Sequence, residues 1–156
     1  MKLRSTLKLA YCILSFQIIL SSCNSNSNSS VKVIPYDVKG LDTLKTNTGL
    51  KYILVKKNEA GALPMKGKQV QVHYTGYFTD GKIFDSSVKR GEPLPFTLGI
   101  GQVIKGWDEG IALLHVGEKA RLVIPHDLAY GIEGSGQTIP PMSTLIFDVE
   151  LVSITE

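Results

Sequence analysis

The stretch Val72–Ser87, VHYTGYFTDGKIFDSS, holds Tyr74, Tyr77, Phe78 and Phe84, an aspartate, Asp85, directly after a phenylalanine, and glycines at 76 and 81. It contains no cysteine, and its one histidine, His73, has no second histidine near it. Such a set is rich in rings and poor in nucleophilic chemistry. It offers no activated nucleophile paired with a base, so it gives no basis for a covalent intermediate. The other histidines, His115 and His126, also lack a histidine or cysteine partner at metal-ligand spacing, and HEXXH and CXXC are absent. All three histidines read as surface or structural residues, and neither a metal nor a cofactor is called for. LGIGQVIKG is one glycine short of a dinucleotide fingerprint, because Ile104 stands where the third glycine belongs. GSGQT at 134–138 lacks the spacing and the strand-to-helix setting of a serine elbow.

The segments that must position these residues are mostly strands. Leu50, Tyr52 and Leu54 alternate on one face of LKYILV. Val70, Val72, Tyr74, Gly76 and Phe78 alternate against Gln71, His73, Thr75 and Tyr77. Asp80-Gly81 is a tight-hairpin signal, because glycine adopts positive φ cheaply, and Lys82–Asp85 is the expected return strand. Ala120, Leu122 and Ile124 form another alternating run. The last run is the clearest: Leu145, Phe147, Val149 and Leu151 face one way, Asp148 and Glu150 the other. One stretch has helical period instead. In VIKGWDEGIALLHVG, Ile104, Trp107, Ile111 and Leu114 share a face. Asp108 and Glu109 suit the early turns, where the helix dipole favours acids, and Gly117 is the expected stop. The predicted class is α+β: an antiparallel sheet of about five strands curled around one short helix.

The 156 residues suffice for one domain, and 43% hydrophobic content supplies its core. The formal charge of +3 is concentrated at the start. Three of the 17 basic residues, Lys2, Arg4 and Lys8, lie in the first 22, which hold no acid; the remainder balances 14 basic against 14 acidic. A near-neutral chain has no basic stripe for nucleic acid. Residues 1–22 read as an export signal, basic and then apolar from Leu9 to Leu20, well short of the roughly 20 residues of a membrane span. Leu20-Ser21-Ser22-Cys23 resembles a bacterial lipobox, with Cys23 the lipidated residue and anchor to a membrane, most naturally facing a periplasm. Cys12 falls in the removed segment, which leaves no cysteine pair for a disulfide. NSNSNSS at 24–30 is a flexible tether, and Val31–Thr48 an extended lead-in. The expected division is signal 1–22, anchor, tether and lead-in 23–48, and domain 49–156.

VHYTGYFTDGKIFDSS, LGIGQVIKGWDEGIALLHVGEKARLVIP, AYG and IPPMSTLIFDVELVSI resemble, in order and spacing, the FKBP-type peptidyl-prolyl isomerases. The resemblance covers about Gly49–Glu156. It implies catalysis of cis–trans exchange at Xaa-Pro bonds, clients among proline-containing exported proteins, and binding of FK506- or rapamycin-like macrolides. By resemblance, Trp107 floors the pocket, Tyr74, Phe84 and Phe147 wall it, and Tyr130 donates to a substrate carbonyl. Ile104 offers its backbone N–H, and Asp85 positions Tyr74 or accepts from a ligand. Phe96, Val103 and Ile139 complete the substrate-binding set. Taken singly, Trp107 reads as a core residue and Asp85 as a turn or cap; the family pattern is what assembles them.

The sequence departs from that pattern at Leu94, where an aromatic often lines the rim, and at Gln102, Leu128 and Ser135. These bear on macrolide affinity and on preference for the residue before proline. A proline-peptide-binding or chaperone module with incidental turnover is the alternative. A structural envelope lipoprotein with a retired pocket is disfavoured, since it need not keep Tyr74, Asp85, Trp107, Tyr130 and Phe147 together. Tyr130 is followed closely by Ile139-Pro140-Pro141, which leaves no room for an inserted chaperone flap. No second apolar face stands out, so a monomer is expected.

Overall fold

The computed structural model describes residues 31–155; the expected signal segment, Cys23 and the expected Asn/Ser tether lie outside the described residues. Seven strands form one sheet: β1 (Leu44–Lys45), β2 (Lys51–Lys56), β3 (Gln69–Tyr77), β4 (Ile83–Ser86), β5 (Leu94–Thr97), β6 (Lys119–Ile124) and β7 (Leu145–Thr155). Every pairing is antiparallel, in the order β1-β2-β6-β7-β3-β4, with β5 also on β3. Five strands were expected. The difference is local: β1 is two residues long, and β4 and β5 share one edge of β3, β4 beside Thr75–Tyr77 and β5 beside Gln69–Val72. The alternation of β5 is masked by Pro95, which an edge strand tolerates because it need donate no ladder bond on its outer side.

The expected helix sits beside the sheet, and among the described residues a one-turn α-helix accompanies it. Between β4 and β5 lies a single turn, α1 (Ser87–Arg90). Ser86 caps it by accepting from Lys89 N, and Gly91 closes it at φ 78°. The longer helix, α2 (Lys105–Ala112), ends five residues before Gly117. Trp107 and Ile111 are buried beneath the sheet as its period demands, and Leu114 continues that face beyond the last turn. Gly106 and Gly110 explain how close α2 lies. A Cβ at Gly106 would stand 2.4 Å from Ile124 Cγ2, and one at Gly110 2.7 Å from Leu122 Cδ1. Asp108 reaches back rather than merely meeting the dipole: it accepts from Gly99 N at 2.8 Å and Gly101 N at 2.9 Å, fixing the loop that enters the helix.

The core lies between α2 and the inward face of β3, β6 and β7. Val70, Val72, Leu122, Ile124, Leu145, Val149 and Leu151 are fully buried. Asp148, on the opposite face of β7 from Phe147 and Val149, is buried as well. The cause is the lead-in, which crosses the outer face of the sheet. Asp148 Oδ2 accepts from Tyr36 N at 2.7 Å, and Arg121 Nη2 donates to Tyr36 O at 3.0 Å. The Tyr36 ring lies beneath the Lys119 ammonium, and burial, with Glu150 and Asp148 nearby, pushes its hydroxyl well above the ordinary tyrosine range. No helix of the described residues is long and apolar enough to cross a membrane.

Candidate active site

The inward face of β3 carries Tyr74 and Gly76 side by side, and β7 places Phe147 opposite Gly76. From α2, Trp107 rises into the space between them. Its ring meets Tyr74 edge-on at 4.9 Å and Phe147 edge-on at 5.3 Å. Phe84, from β4, meets Phe147 at 5.5 Å and 89°. Edge-to-face contacts of this kind are the favoured aromatic geometry and hold each ring against its neighbours. The result is a cup of about 180 Å³, lined by Tyr74, Phe84, Asp85, Leu94, Gln102, Val103, Ile104, Trp107, Tyr130 and Phe147. Tyr130 stands at its mouth, part-exposed, and Ile104 occupies the N-cap of α2, where a backbone N–H has no partner within the helix.

Eight of the ten residues expected in the pocket therefore line it. The other two are buried outside the lining. Phe96 is buried on β5 with its ring 5.8 Å from Trp107, and Ile139 is buried where Ser135 and Ile139 exchange backbone bonds across the loop. None of the histidines is in the lining. His73 contacts Ser87 Oγ, and His115 meets the buried Glu118. Among the described residues no cluster of His, Cys, Asp or Glu is arranged to hold a metal. A larger cavity, about 420 Å³, lies on the outer face of the sheet beneath the lead-in. Its lining mixes Val33, Ile34, Tyr36, Tyr77 and Val88 with Lys32, Lys119, Asp148 and Glu150, and Phe84, Trp107 and Phe147 are not part of it.

Arg90 is the polar member that sequence reasoning missed. Its Nη1 donates to Asp85 Oδ1 at 2.5 Å and its Nη2 to the Tyr74 hydroxyl at 2.8 Å. Tyr74 in turn donates to Asp85 Oδ2. Asp85 also accepts from Ser86 N at 2.7 Å. The signal was present: Ser86 and Gly91 bracket a one-turn helix, which carries Arg90 back over Asp85. Burial alone would raise the Asp85 carboxyl, but the bonds from Tyr74 and Arg90 outweigh it and hold the group below its ordinary value. Burial, then the bond to Asp85, raises the Tyr74 hydroxyl.

These directions fix a pH dependence. An aspartate depressed by folding keeps its contribution above its unfolded value of about 3.9 and loses it only as pH falls through the lower folded value. Tyr74, raised, stays protonated. Turnover at this cup should then be flat between about pH 5 and 8, as measured by kcat/KM for a prolyl peptide. A bell-shaped profile in that range would show a proton-transferring group, contrary to a purely positional role for Asp85.

The described residues thus form an antiparallel sheet over a short helix, with an aromatic cup between them. Residues 61–152 match the family model for FKBP-type peptidyl-prolyl cis-trans isomerases. The chain is 50% identical over 105 residues to FK506-binding protein 1 of Dictyostelium discoideum, covering 67% of this chain and 97% of that one. It is 62% identical over 89 residues to FK506-binding protein 2 of Yarrowia lipolytica, covering 57% of this chain and 62% of that protein. The crystal structure of FkpA from Escherichia coli matches with a TM-score of 0.67 and 46% identity, over 72% of this chain and 51% of that one. The chain belongs to the FKBP-type peptidyl-prolyl cis-trans isomerase family, and its activity is the isomerisation of Xaa-Pro bonds.

Proposed function

We propose that the chain is an exported, lipid-anchored prolyl isomerase that turns Xaa-Pro bonds of other exported proteins within the Trp107 cup. The observation that carries the choice of site is the ring arrangement: Trp107 at the base, with Tyr74 and Phe147 edge-on to it. The proline ring lies on Trp107. Tyr74, Phe84 and Phe147 crowd the preceding carbonyl, Tyr130 donates to a substrate carbonyl, and the Ile104 N–H holds the chain. Asp85 and Arg90 keep the Tyr74 ring in place.

The chemistry needs no more than this. Amide resonance sets a barrier of about 18–20 kcal/mol, and free exchange takes tens to hundreds of seconds. At the twisted transition state the nitrogen regains its lone pair and the carbonyl loses charge separation. An apolar cup disfavours the planar, more polar amide relative to the twisted one. Holding both planar isomers equally well would accelerate nothing.

The test is cis-to-trans exchange of a Leu-Pro peptide by residues 31–156, beside a Tyr74→Ala/Asp85→Ala variant. Losing the Tyr74 wall together with the carboxylate that orients it should cost at least about tenfold in kcat/KM. A folded wild-type domain with no acceleration would reject the reading.

Support for the anchor is sequence alone: basic Lys2, Arg4 and Lys8, the apolar run to Leu20, and small residues before Cys23. Mass spectrometry of the protein from membranes should find a chain that begins at Cys23 with a diacylglyceryl adduct. An unmodified thiol at Cys23 would end the lipoprotein reading. FK506-like macrolides are the proposed small ligands, because the curated relatives carry that binding in their names and the cup keeps its rings. Leu94 on the lining removes an aromatic contact from the rim.

A further inference from the structure

On one edge of β3 the ladder has a gap. β5 pairs with Gln69–Val72 and β4 with Thr75–Tyr77, so among the described residues His73 and Tyr74 have no strand partner on that side. The chain between β4 and β5 turns away there through α1 and Gly91. Buried backbone groups left unpaired by such a gap are costly, and another group must take them. Ser87, the first residue of α1, does so. It is fully buried, and its Oγ accepts from Tyr74 N at 2.7 Å. The same hydroxyl finds an acceptor in Tyr74 O, 3.3 Å away, and lies 3.1 Å from His73 Nδ1. Phe147 is held differently, between ladder partners on both sides, Gly76 on β3 and Leu122 on β6. Tyr74 is a wall of the cup whose main chain is fixed, on one side, by a side chain.

We infer that Ser87 is a positioning residue for the isomerisation, touching no substrate and acting through Tyr74. This rests on the cup being the site of rotation. The Tyr74 ring is fixed at its far end by its hydroxyl, which donates to Asp85 and accepts from Arg90. Ser87 fixes the near end, at the backbone. Held at both ends, the ring stays edge-on to Trp107 at 4.9 Å and borders the space that the rotating carbonyl sweeps. With the near end released, the strand shifts while the hydroxyl remains tied to Asp85, and the ring tilts. A small displacement of a group that crowds the transition state slows the reaction without emptying the pocket. The loss falls on kcat, because the Trp107 floor under the proline ring is left in place.

The test is Ser87→Ala, with Ser87→Cys beside it. The thiol fills the same space but is a poor acceptor, so it preserves the fold should the alanine variant lose it. For a Leu-Pro peptide kcat should fall several-fold in both, with the peptide Kd nearly unchanged. Trp107 is the chain's single tryptophan, so its fluorescence gives that Kd independently of turnover. The emission of the free protein should also shift, because the Tyr74 ring abuts Trp107. The Tyr74 amide should exchange with solvent faster than in wild type. Gly61→Ala, whose added Cβ would stand 2.3 Å from Val116 O, controls for lost stability alone, and should change neither kcat nor the emission. A serine that merely satisfies a buried amide would lower the urea midpoint and leave kcat at the wild-type value, which would overturn the inference. An equal loss of kcat in Gly61→Ala would overturn it too. A wild type that binds the peptide without turning it over would remove the isomerase reading; the Tyr74 amide exchange and the Trp107 emission would then decide whether Ser87 holds the wall.

Discussion

Asp148→Ala is expected to lose about 3–5 kcal/mol of stability, the usual result of removing one partner from a buried ion pair. Asp148 is 4% exposed at its side chain and Arg121 17%. Arg121 Nε and Nη2 donate to its two oxygens at 2.6 and 2.8 Å, and Tyr36 N to one of them at 2.7 Å. Without the carboxylate, the guanidinium keeps its desolvation and loses its counter-charge, and the Tyr36 N–H loses its acceptor. The pair matters for its failure more than for its strength: replacing both partners, as in Arg121→Met/Asp148→Leu, should recover much of the loss, since apolar groups of similar volume often match a buried ion pair. Urea unfolding measures both. The midpoint should fall sharply in the single variant with the slope little changed. A loss below about 1 kcal/mol would mean that the pair behaves as a surface salt bridge, and that the lead-in does not cover it in solution.

Asp148 also marks where sequence reading stops. Alternation in β7 assigned Phe147 and Val149 to one face and Asp148 to the other, and the structure agrees on the faces. A period of two says which way a side chain points; it does not say what lies there. The cover comes from Tyr36, 112 residues earlier in the chain, in a segment with too few apolar residues to announce an element. The same limit hid Arg90. Its contacts depend on a single helical turn between two strands, too short to show a period, although its Ser and Gly caps were legible. Phe96 and Ile139 show the converse. The family pattern groups them with the pocket; in the structure both are buried outside its lining, Phe96 with its ring near Trp107. What was legible was whatever repeats along a long element: the inward faces of β3, β6 and β7, and the Trp107 face of α2. What was not legible was set by pieces of chain meeting from far apart.

Gly76→Ala should reduce kcat/KM on the order of 10²-fold, the cost associated with a misplacement near 1 Å at reacting groups. Gly76 is the penultimate residue of β3 and its φ is not positive, so alanine brings no backbone strain there. The effect comes from space alone. An added Cβ would stand 2.5 Å from Phe84 Cζ, 2.7 Å from Phe84 Cε2 and 2.9 Å from Phe147 Cε1. Both rings wall the cup, and neither can keep its place. Phe84 is the freer of the two, being only partly buried, so it should swing toward the mouth and narrow the space for the carbonyl. Overpacking of this kind also costs about 1–3 kcal/mol of stability, so activity must be compared with a variant of similar stability whose clash lies elsewhere. Gly61→Ala serves: its Cβ would stand 2.3 Å from Val116 O, away from the lining. Both variants should unfold at lower urea than wild type, but only Gly76→Ala should lose turnover. Parallel losses in the two would attribute the effect to destabilisation. Full turnover in Gly76→Ala would show that rotation tolerates displaced walls, and would leave the Trp107 floor as the part of the cup that accelerates it.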